Sequence, residues 1–254
     1  MSGTRRFTEE DIRPERLMQD QTRCQEEDRQ YLLAHRREFV EVACPACGGK
    51  EPRPYFNKKE FDYQECTVCG TVYVNPRPSP ELLEKFFEIS KNYEYWNRHI
   101  FPASENVRRE KIFRPRAERV RELARKHLRD ARVLLEVGAG FGTFYEEMTA
   151  LGFFEKIIAI EPSVELAQTC LARGLEVIPS TVEKVDLRGL RVDVAVSFEV
   201  IEHLFSPIDF IRVCGNVLCD GGLLILTCPN LRGLDLQILG HKASTFDYAH
   251  LNYF

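Results

Sequence analysis

The chain has 254 residues, 44% of them hydrophobic, which is enough to bury the core of one large domain or of a large and a small one. A formal net charge of -4 excludes a globally basic protein, so nucleic acid and anionic membrane are not expected as partners. No apolar stretch resembles a signal peptide or a membrane span, which predicts a cytoplasmic location. In that reducing compartment the nine cysteines are expected to be metal ligands or buried thiols rather than disulfides.

The first half of the chain divides into three predicted segments. Residues 1–40 are charge-rich and are predicted to be a helical or partly disordered lead-in. Residues 41–78 carry paired cysteines, a short β-type run at 71–74 and a proline-rich exit, NPRPSP, where proline fixes the backbone and removes a donor. Residues 79–130 are predicted to be a helical connector, with apolar side chains recurring at helical spacing.

The cysteine pairs sit in CPACGG and CTVCG, separated by eighteen residues. This spacing is typical of a four-cysteine zinc ribbon with the ligands Cys44, Cys47, Cys66 and Cys69. A glycine after each pair lets the backbone fold over the sulfurs, and four thiolates leave no open coordination position. The motif therefore predicts a small domain over residues 41–78 held by a structural zinc ion; a redox dithiol is the weaker alternative. The remaining cysteines are unpaired and are expected to pack as small residues.

After about residue 130 the pattern changes to short apolar runs alternating with helices. Strands are predicted at 133–137, 156–160, 175–178, 192–198 and 223–228, and helices at 142–151, 163–173 and 207–218. Near-continuous apolar strands are covered on both faces, so the fold class is α/β, a Rossmann-like doubly wound parallel sheet over residues 131–254. Sheets of this class usually add two more strands, which predicts a domain that is incomplete at its C-terminal end.

A glycine-rich loop follows the first of these strands in the run LLEVGAGFGTF. Gly138, Gly140 and Gly142 let the backbone approach a ligand at the start of a helix, which indicates a nucleotide-type cofactor. The dinucleotide pattern GxGxxG fails at both starting positions, and Glu136 just before the loop is poorly placed beside a pyrophosphate. Glu161, at the end of the second strand, stands where an acidic side chain binds ribose hydroxyls. The set favours a cofactor with a cationic group and no phosphates.

These residues resemble those of class I S-adenosylmethionine-dependent methyltransferases, whose first motif reads (E/D)xGxGxG. EVGAGFG matches that motif, IEP matches the ribose-binding segment, and SFEVIEHLFSP resembles the segment after the fourth strand. The resemblance covers about residues 130–230 and implies S-adenosylmethionine as cofactor. The residues that it implies for cofactor binding are Glu136, Gly138, Ala139, Gly140 and Gly142 for the methionine part, Glu161 and Pro162 for the ribose, Thr181, Val182 and Glu183 for the adenine, and Phe198 and Glu199 near the reactive end.

A cysteine ribbon before this fold is similar to bacterial methyltransferases of sugar and polysaccharide biosynthesis, including nucleotide-sugar C-methyltransferases. That resemblance implies an active-site segment like YHEHLSYF, to which DYAHLNYF at residues 247–254 corresponds. It makes His250 and Tyr248 catalytic candidates, with His250 as the general base. His203, in the run IEH, is a third candidate that either faces the cofactor pocket or caps the helix. Asp247 stands where the family has its tyrosine, which weakens the case for carbon methylation and leaves an oxygen acceptor open. Glu202 is expected to be a structural hydrogen-bond partner.

The sequence therefore predicts a methyltransferase that acts on a small glycosyl or nucleotide-linked acceptor, at carbon or oxygen. Basic residues between 97 and 127 are interpreted either as a binding site for a nucleotide-sugar diphosphate or as the solvated face of two helices. Two alternatives stay open. The ribbon could deliver an RNA-modifying methyltransferase to its substrate, although residues 41–69 carry no net basic charge. The fold could also serve as a non-catalytic scaffold.

Overall fold

A computed structural model describes residues 7–254 of the chain. Nine α-helices are assigned within this range: α1 (Glu15–Ala34), α2 (Pro80–Ile89), α3 (Lys91–Tyr95), α4 (Phe101–Arg108), α5 (Arg114–His127), α6 (Thr143–Ala150), α7 (Val164–Ala172), α8 (Pro207–Val217) and α9 (Leu234–Leu239). The strands of the same range are β1 (Phe39–Val40), β2 (Pro52–Lys58), β3 (Phe61–Cys66), β4 (Val72–Val74), β5 (Arg77–Pro78), β6 (Val133–Val137), β7 (Lys156–Ile160), β8 (Val177–Ile178), β9 (Val192–Phe198), β10 (Leu218–Thr227) and β11 (Asn252–Tyr253). No helix in this part of the chain is both long and apolar enough to cross a bilayer.

The larger sheet has five strands in the order β10-β9-β6-β7-β8, and all of its neighbouring pairs are parallel. The chain starts in the middle at β6, runs outward to β8, and then returns to the other side of β6 through β9. This reversal creates a topological switch point between β6 and β9, the place where open α/β sheets bind ligands beyond the carboxyl ends of their strands. The predicted doubly wound parallel sheet is confirmed.

The two faces of this sheet bury different clusters because successive side chains of a strand point to opposite sides. One face carries Leu134 and Val194 against α5 and α6, including Phe144 and Met148. The other face carries apolar side chains of the same strands against α8, including Phe210. Burial on both faces explains why the strands read as continuous apolar runs.

A second, antiparallel sheet has the strand order β11-β4-β3-β2, and a short antiparallel pair joins β1 to β5. Its core collects Phe61 and Tyr63 from β3 with α1 and α2, and also with Phe246 and Tyr253 from the end of the chain. The C-terminal segment thus leaves the parallel sheet and supplies an edge strand to the cysteine-bearing sheet. The sequence did not predict this return.

The connector between α3 and α5 is an unbroken helical rod with two widened π-helical turns. These turns span Trp96–Ile100 and Arg109–Phe113 and stand immediately before the segments that contain Pro102 and Pro115. Proline lacks the backbone N–H that would complete the helical ladder, so a local change of helical pitch is expected beside it.

Predicted and observed elements differ mainly at the edges of the sheets. The strands at 133–137, 156–160 and 192–198 occur as predicted. The predicted strand at 175–178 is wrong in its first half, because Leu175 is buried in the core beside α6 and only Val177–Ile178 pair with β7. The strand predicted at 223–228, β10, begins earlier than predicted, at Leu218, with a register shift before Leu223. The hairpin of β2 and β3 was not predicted.

Candidate cofactor and acceptor site

The carboxyl ends of three parallel strands meet at the switch point of the larger sheet. Gly138 follows β6, Glu161 follows β7, and Glu199 follows β9. The sheet therefore brings together groups that are more than sixty residues apart in sequence. The predicted cofactor-binding segments that follow β6, β7 and β9 therefore lie at this edge. The predicted adenine-binding segment, residues 181–183, follows the edge strand β8 instead.

The glycine loop is held in a left-handed backbone conformation that leaves open space in front of it. Gly138, Gly140 and Gly142 have φ angles of +85°, +54° and +81°. A Cβ on Gly138 would collide with Val200, and one on Gly142 would lie 2.5 Å from a Leu175 methyl, so these two glycines are required by packing. A Cβ on Gly140 would meet nothing within 4 Å. The middle glycine thus faces space that a ligand can fill.

Two buried carboxylates lie at the strand ends next to the glycine loop. Glu161 is 5% exposed, and its oxygens accept hydrogen bonds from the backbone N–H of Gly140 at 2.7 Å and of Ser163 at 2.9 Å. Burial nevertheless raises the pKa of Glu161 to about 7. Glu136 is 2% exposed, its Oε2 has no partner among the described residues, and burial together with Glu161 holds its pKa well above the usual range. Arg116 acts on Glu136 electrostatically, but neither carboxylate forms an ion pair among residues 7–254, and such a pair of acidic groups fits a cofactor that carries positive charge.

The remaining cofactor residues expected from the resemblance lie around the same edge, and their roles stay predictions. Ala139 is buried in the loop and Pro162 is half-buried beside Glu161. Val182 is buried in the core under the sheet, between the half-buried Thr181 and the exposed Glu183.

Phe198 is the last residue of β9, the strand beside the central β6, and Glu199 follows it. Phe198 lies under the guanidinium of Arg116, which stands 4.4 Å from its ring centroid. Glu199 adopts a φ of +56°, unusual for a residue with a side chain, and its Oε1 accepts a 2.7 Å hydrogen bond from Thr227. The backbone N–H of Glu199 also donates to Thr227, so β10 fixes this strained turn.

Two of the three catalytic candidates meet at the end of this turn. The rings of His203 and His250 are 4.6 Å apart, centroid to centroid, in an edge-to-face arrangement. The Nδ1 of His203 lies 2.8 Å from the backbone oxygen of Ala249, and the Nδ1 of His250 lies 2.8 Å from that of Thr245. A carbonyl only accepts, so each Nδ1 carries the hydrogen and each Nε2 keeps a lone pair. Burial and the neighbouring His250 lower the pKa of His203 to about 3.

Tyr248, the third candidate, contacts Phe86 and Asp28 rather than the two histidines. It is 5% exposed, its ring packs edge-on against Phe86, and its hydroxyl stands 3.5 Å from a carboxylate oxygen of Asp28. Burial raises its pKa far above the usual value. The structure thus surrounds Tyr248 with core residues of the smaller sheet, and its catalytic role stays a prediction.

The expected structural role of Glu202 stays a prediction, since its carboxylate accepts a hydrogen bond from its own backbone N–H. Its backbone oxygen accepts from the N–H of Leu251 at 2.7 Å, whereas its carboxylate Oε2 is buried without a partner among the described residues. Burial and Glu199 raise the pKa of Glu202 to about 8. One ligand atom each from Glu202, His203 and His250 lies within 4.8 Å of the others.

The basic residues of the connector are mostly bound within the protein. Arg109 forms ion pairs with Glu105, Glu146 and Glu147, and Arg114 pairs with Glu147. Their charges are already balanced, so the diphosphate interpretation is not supported at these two positions.

The four cysteines of the paired motifs converge at one end of the smaller sheet. Sγ of Cys44 is 3.6 Å from that of Cys69, and Sγ of Cys47 is 3.6 Å from that of Cys66. Sulfurs bound tetrahedrally at ~2.3 Å from zinc would be about 3.8 Å apart, so the spacing fits that ion. A positive φ at the glycine after each pair lets its N–H bond back to the carbonyl of the first cysteine of that pair. The clustering of the four cysteines is confirmed, and the zinc ion stays a prediction.

Two buried residues that the sequence did not single out hold the segment of His203 against the segment of His250. Arg77 is fully buried and donates to the carbonyl oxygens of Phe205 at 2.9 Å and Leu251 at 3.1 Å. The Asn252 amide donates to the oxygen of Leu204 at 2.8 Å. Both residues tie the histidine of the 201–205 segment to the returning C-terminal segment. A single arginine or asparagine in a strand gives no sequence signal of such a role.

The parallel sheet with its switch point, the glycine loop and the two acidic strand ends define the class I methyltransferase fold. Residues 108–254 match the family model described as a methyltransferase domain, and the chain belongs to this family.

Two curated proteins that are similar in sequence are both named as methyltransferases. The chain is 37% identical over 114 residues to a ubiquinone biosynthesis O-methyltransferase of Caulobacter sp. (strain K31), covering 42% of this chain and 45% of that protein. It is 34% identical over 103 residues to a probable S-adenosylmethionine-dependent methyltransferase of Mycobacterium tuberculosis (strain ATCC 25618 / H37Rv), covering 39% of this chain and 36% of that protein. The chain thus spans less than half the length of these curated relatives.

Among solved structures, the sugar N-methyltransferase KedS8 from Streptoalloteichus sp ATCC 53650 is similar at 22% identity and a TM-score of 0.46, over 51% of this chain and 53% of that chain. The plantazolicin methyltransferase BpumL in complex with SAH is similar at 14% identity and a TM-score of 0.49, over 63% of this chain and 67% of that chain.

Proposed function

We propose that this protein transfers a methyl group from S-adenosylmethionine to a hydroxyl oxygen of a small acceptor, with glycosyl and nucleotide-linked hydroxyls as the first candidates. The observation that carries the proposal is the glycine loop with its two buried carboxylates: a Cβ on Gly140 would meet nothing within 4 Å, the Gly140 N–H donates to Glu161, and Glu136 is an electrostatic neighbour of Glu161. The cofactor supplies an activated methyl group on a positively charged sulfur. The loop and the two carboxylates would hold its methionine and ribose parts.

The protein's own contribution to the chemistry is positioning and removal of one proton. Methyl transfer from a sulfonium needs an oxygen nucleophile in line with the methyl group, and a neutral imidazole can take up the hydroxyl proton. His250 offers an Nε2 with a free lone pair, because its Nδ1 bonds to the Thr245 carbonyl. The oxygen acceptor agrees with the relatives named as O-methyltransferases and with Asp247 at the position of the expected tyrosine.

We also propose that the four-cysteine cluster holds a structural zinc ion. Its sulfurs are spaced for tetrahedral coordination, and no open position remains for chemistry. The ion would fix the sheet against which the C-terminal segment forms strand β11. In this way the ribbon supports the segment that carries His250.

RNA as acceptor receives no support from the charges of the ribbon. Arg53 pairs with Glu65, and Arg36 pairs with Asp62, so basic side chains of this region are balanced by acids. An electrostatic footprint for a phosphate backbone needs clustered, unpaired cations.

Incubation with methyl-tritiated S-adenosylmethionine and a panel of hydroxylated sugars, nucleotide-sugars and phenols tests the activity. Label is expected in an O-methylated product. A His250→Asn variant should lose about 100-fold or more of the turnover while it retains S-adenosylhomocysteine binding. His241→Asn, at an exposed position, is the matched control and should keep full turnover. Unchanged turnover in the His250 variant would remove the proposed base.

A further inference from the structure

The histidine pair, His203 and His250, belongs to a set of side chains that general base catalysis alone does not explain. A base needs one imidazole, whereas here two imidazoles and a buried carboxylate from Glu202, His203 and His250 converge to within 4.8 Å. The three residues come from two segments about fifty positions apart, which Arg77 and Asn252 hold together.

The hydrogen bonds prepare both imidazoles as ligands. In metal sites a histidine usually donates one ring N–H to a carbonyl or carboxylate, which fixes the tautomer and leaves the other nitrogen for the metal. His203 and His250 both do this, at 2.8 Å to the oxygens of Ala249 and Thr245. Two neighbouring rings with the same nitrogen bound to backbone therefore both retain Nε2 lone pairs.

The carboxylate supplies an independent sign that a cation is needed. Oε2 of Glu202 is buried and has no hydrogen-bond partner, and within residues 7–254 no lysine or arginine forms an ion pair with this side chain. Buried carboxylates are normally paired or bound to a metal. Glu199, whose side chain lies near Glu202 at the end of β9, adds a second negative charge rather than a balancing positive one.

From this geometry we propose that Glu202, His203 and His250 bind one divalent first-row transition-metal ion, distinct from the ion of the cysteine cluster. Two imidazoles and one carboxylate are a donor set that suits zinc, manganese and iron. Three protein ligands leave at least one coordination position open, unlike four thiolates, so the site would accept an oxygen from outside the protein.

The use of this ion in catalysis rests on the proposed methyl transfer, whereas the binding of the ion does not. The ion would lower the pKa of a hydroxyl at the open position, so that its O–H bond would break and its proton would pass to solvent. The oxygen then forms its new bond to the methyl carbon as the carbon–sulfur bond breaks, and the electron pair of that bond returns to sulfur. With the ion bound, the Nε2 lone pair of His250 would be used by the metal and solvent would take the proton, whereas in the ion-free chain His250 keeps the role of base proposed above.

An ion with five or six ligands would leave two or three positions open beside Glu202, His203 and His250. Such an ion would bind both oxygens of a vicinal diol or a catechol, which would orient one of them. Glycosyl acceptors, which were expected from the sequence, and catechol-type phenols both carry two adjacent hydroxyl groups, so both classes fit the proposed centre.

Equilibrium dialysis against Mn²⁺, and in a parallel experiment against Zn²⁺, followed by elemental analysis, counts the bound ions per chain. The wild-type chain is expected to bind one ion more than the His250→Ala and Glu202→Gln variants for at least one of the two metals. Glu202→Gln keeps the size of the side chain, and His241→Ala is the control that should bind as many ions as the wild type. No difference between the wild type and Glu202→Gln for either metal would overturn the proposal.

Calorimetric titration of the same samples with S-adenosylhomocysteine separates this inference from the proposed function. An affinity within about twofold of wild type shows that a variant has kept its fold. Binding of the nucleoside without the extra ion would leave the methyltransferase proposal standing and refute the metal centre. Binding of the extra ion without the nucleoside would do the reverse.

Discussion

Replacing Gly140 with alanine is expected to abolish cofactor binding with little loss of stability. The φ of +54° costs a residue with a Cβ about 1 kcal/mol in the left-handed region. No heavy atom lies within 4 Å of the added Cβ, so no packing penalty is added. In a chain of this length, about 1 kcal/mol corresponds to a decrease of about 2–4 °C in melting temperature. The methyl group would instead occupy the space reserved for the ligand.

Two other glycines serve as matched controls for this prediction. Gly152 has a φ of +57° and equally open surroundings, so Gly152→Ala should lose the same stability and bind S-adenosylhomocysteine normally. Gly142→Ala adds a contact of 2.5 Å to Leu175, and its loss of stability should be about 2–4 kcal/mol. Thermal unfolding and calorimetry on the three variants give both quantities. Wild-type affinity in Gly140→Ala would refute the placement of the cofactor at this loop.

Three further predictions follow from the buried polar groups and the cysteines. Burial raises the pKa of Glu161 from an ordinary 4.5 to about 7, so its contribution to stability is present at low pH and is lost as the pH rises from 4.5 through 7. The free energy of unfolding, measured by urea titration at several pH values, should fall by about 3 kcal/mol over this pH range. The fall should be smaller in Glu161→Gln. Asn252→Ala should cost about 1–3 kcal/mol by removing the donor to the Leu204 oxygen, and an unchanged urea midpoint would contradict this. Cys66→Ser should lower the zinc content by about one ion per chain in elemental analysis, whereas the half-buried Cys219, changed in the same way, should leave it unchanged.

The sequence was most informative where local pattern and packing agree. Runs such as VLLEV and KIIAI are covered on both faces of the sheet, so their boundaries could be predicted to the residue. The cysteine spacing and the glycine loop were also readable, because chemistry there depends on residues close together in the chain.

The parts that were missed depend on contacts between distant residues. Strand β2 contains Pro52 and Pro54 and is mostly exposed, so it lacks both the alternation and the composition of a typical strand. The return of residues 252–253 to the ribbon sheet has no local signal, since two residues carry no period. The convergence of Glu202 with His250 could not be predicted for the same reason. Both histidines were found by motif, but their shared geometry with the carboxylate required the fold.

Calorimetric titration of the purified chain with S-adenosylmethionine, S-adenosylhomocysteine and NAD, after removal of any copurified ligand, tests the central claim most directly. The account predicts micromolar binding of both sulfur nucleosides at one site per chain and no heat from NAD, because the loop places Glu136 and Glu161 where a pyrophosphate would need cations. Binding of NAD, or the absence of binding by both sulfur nucleosides, would contradict it.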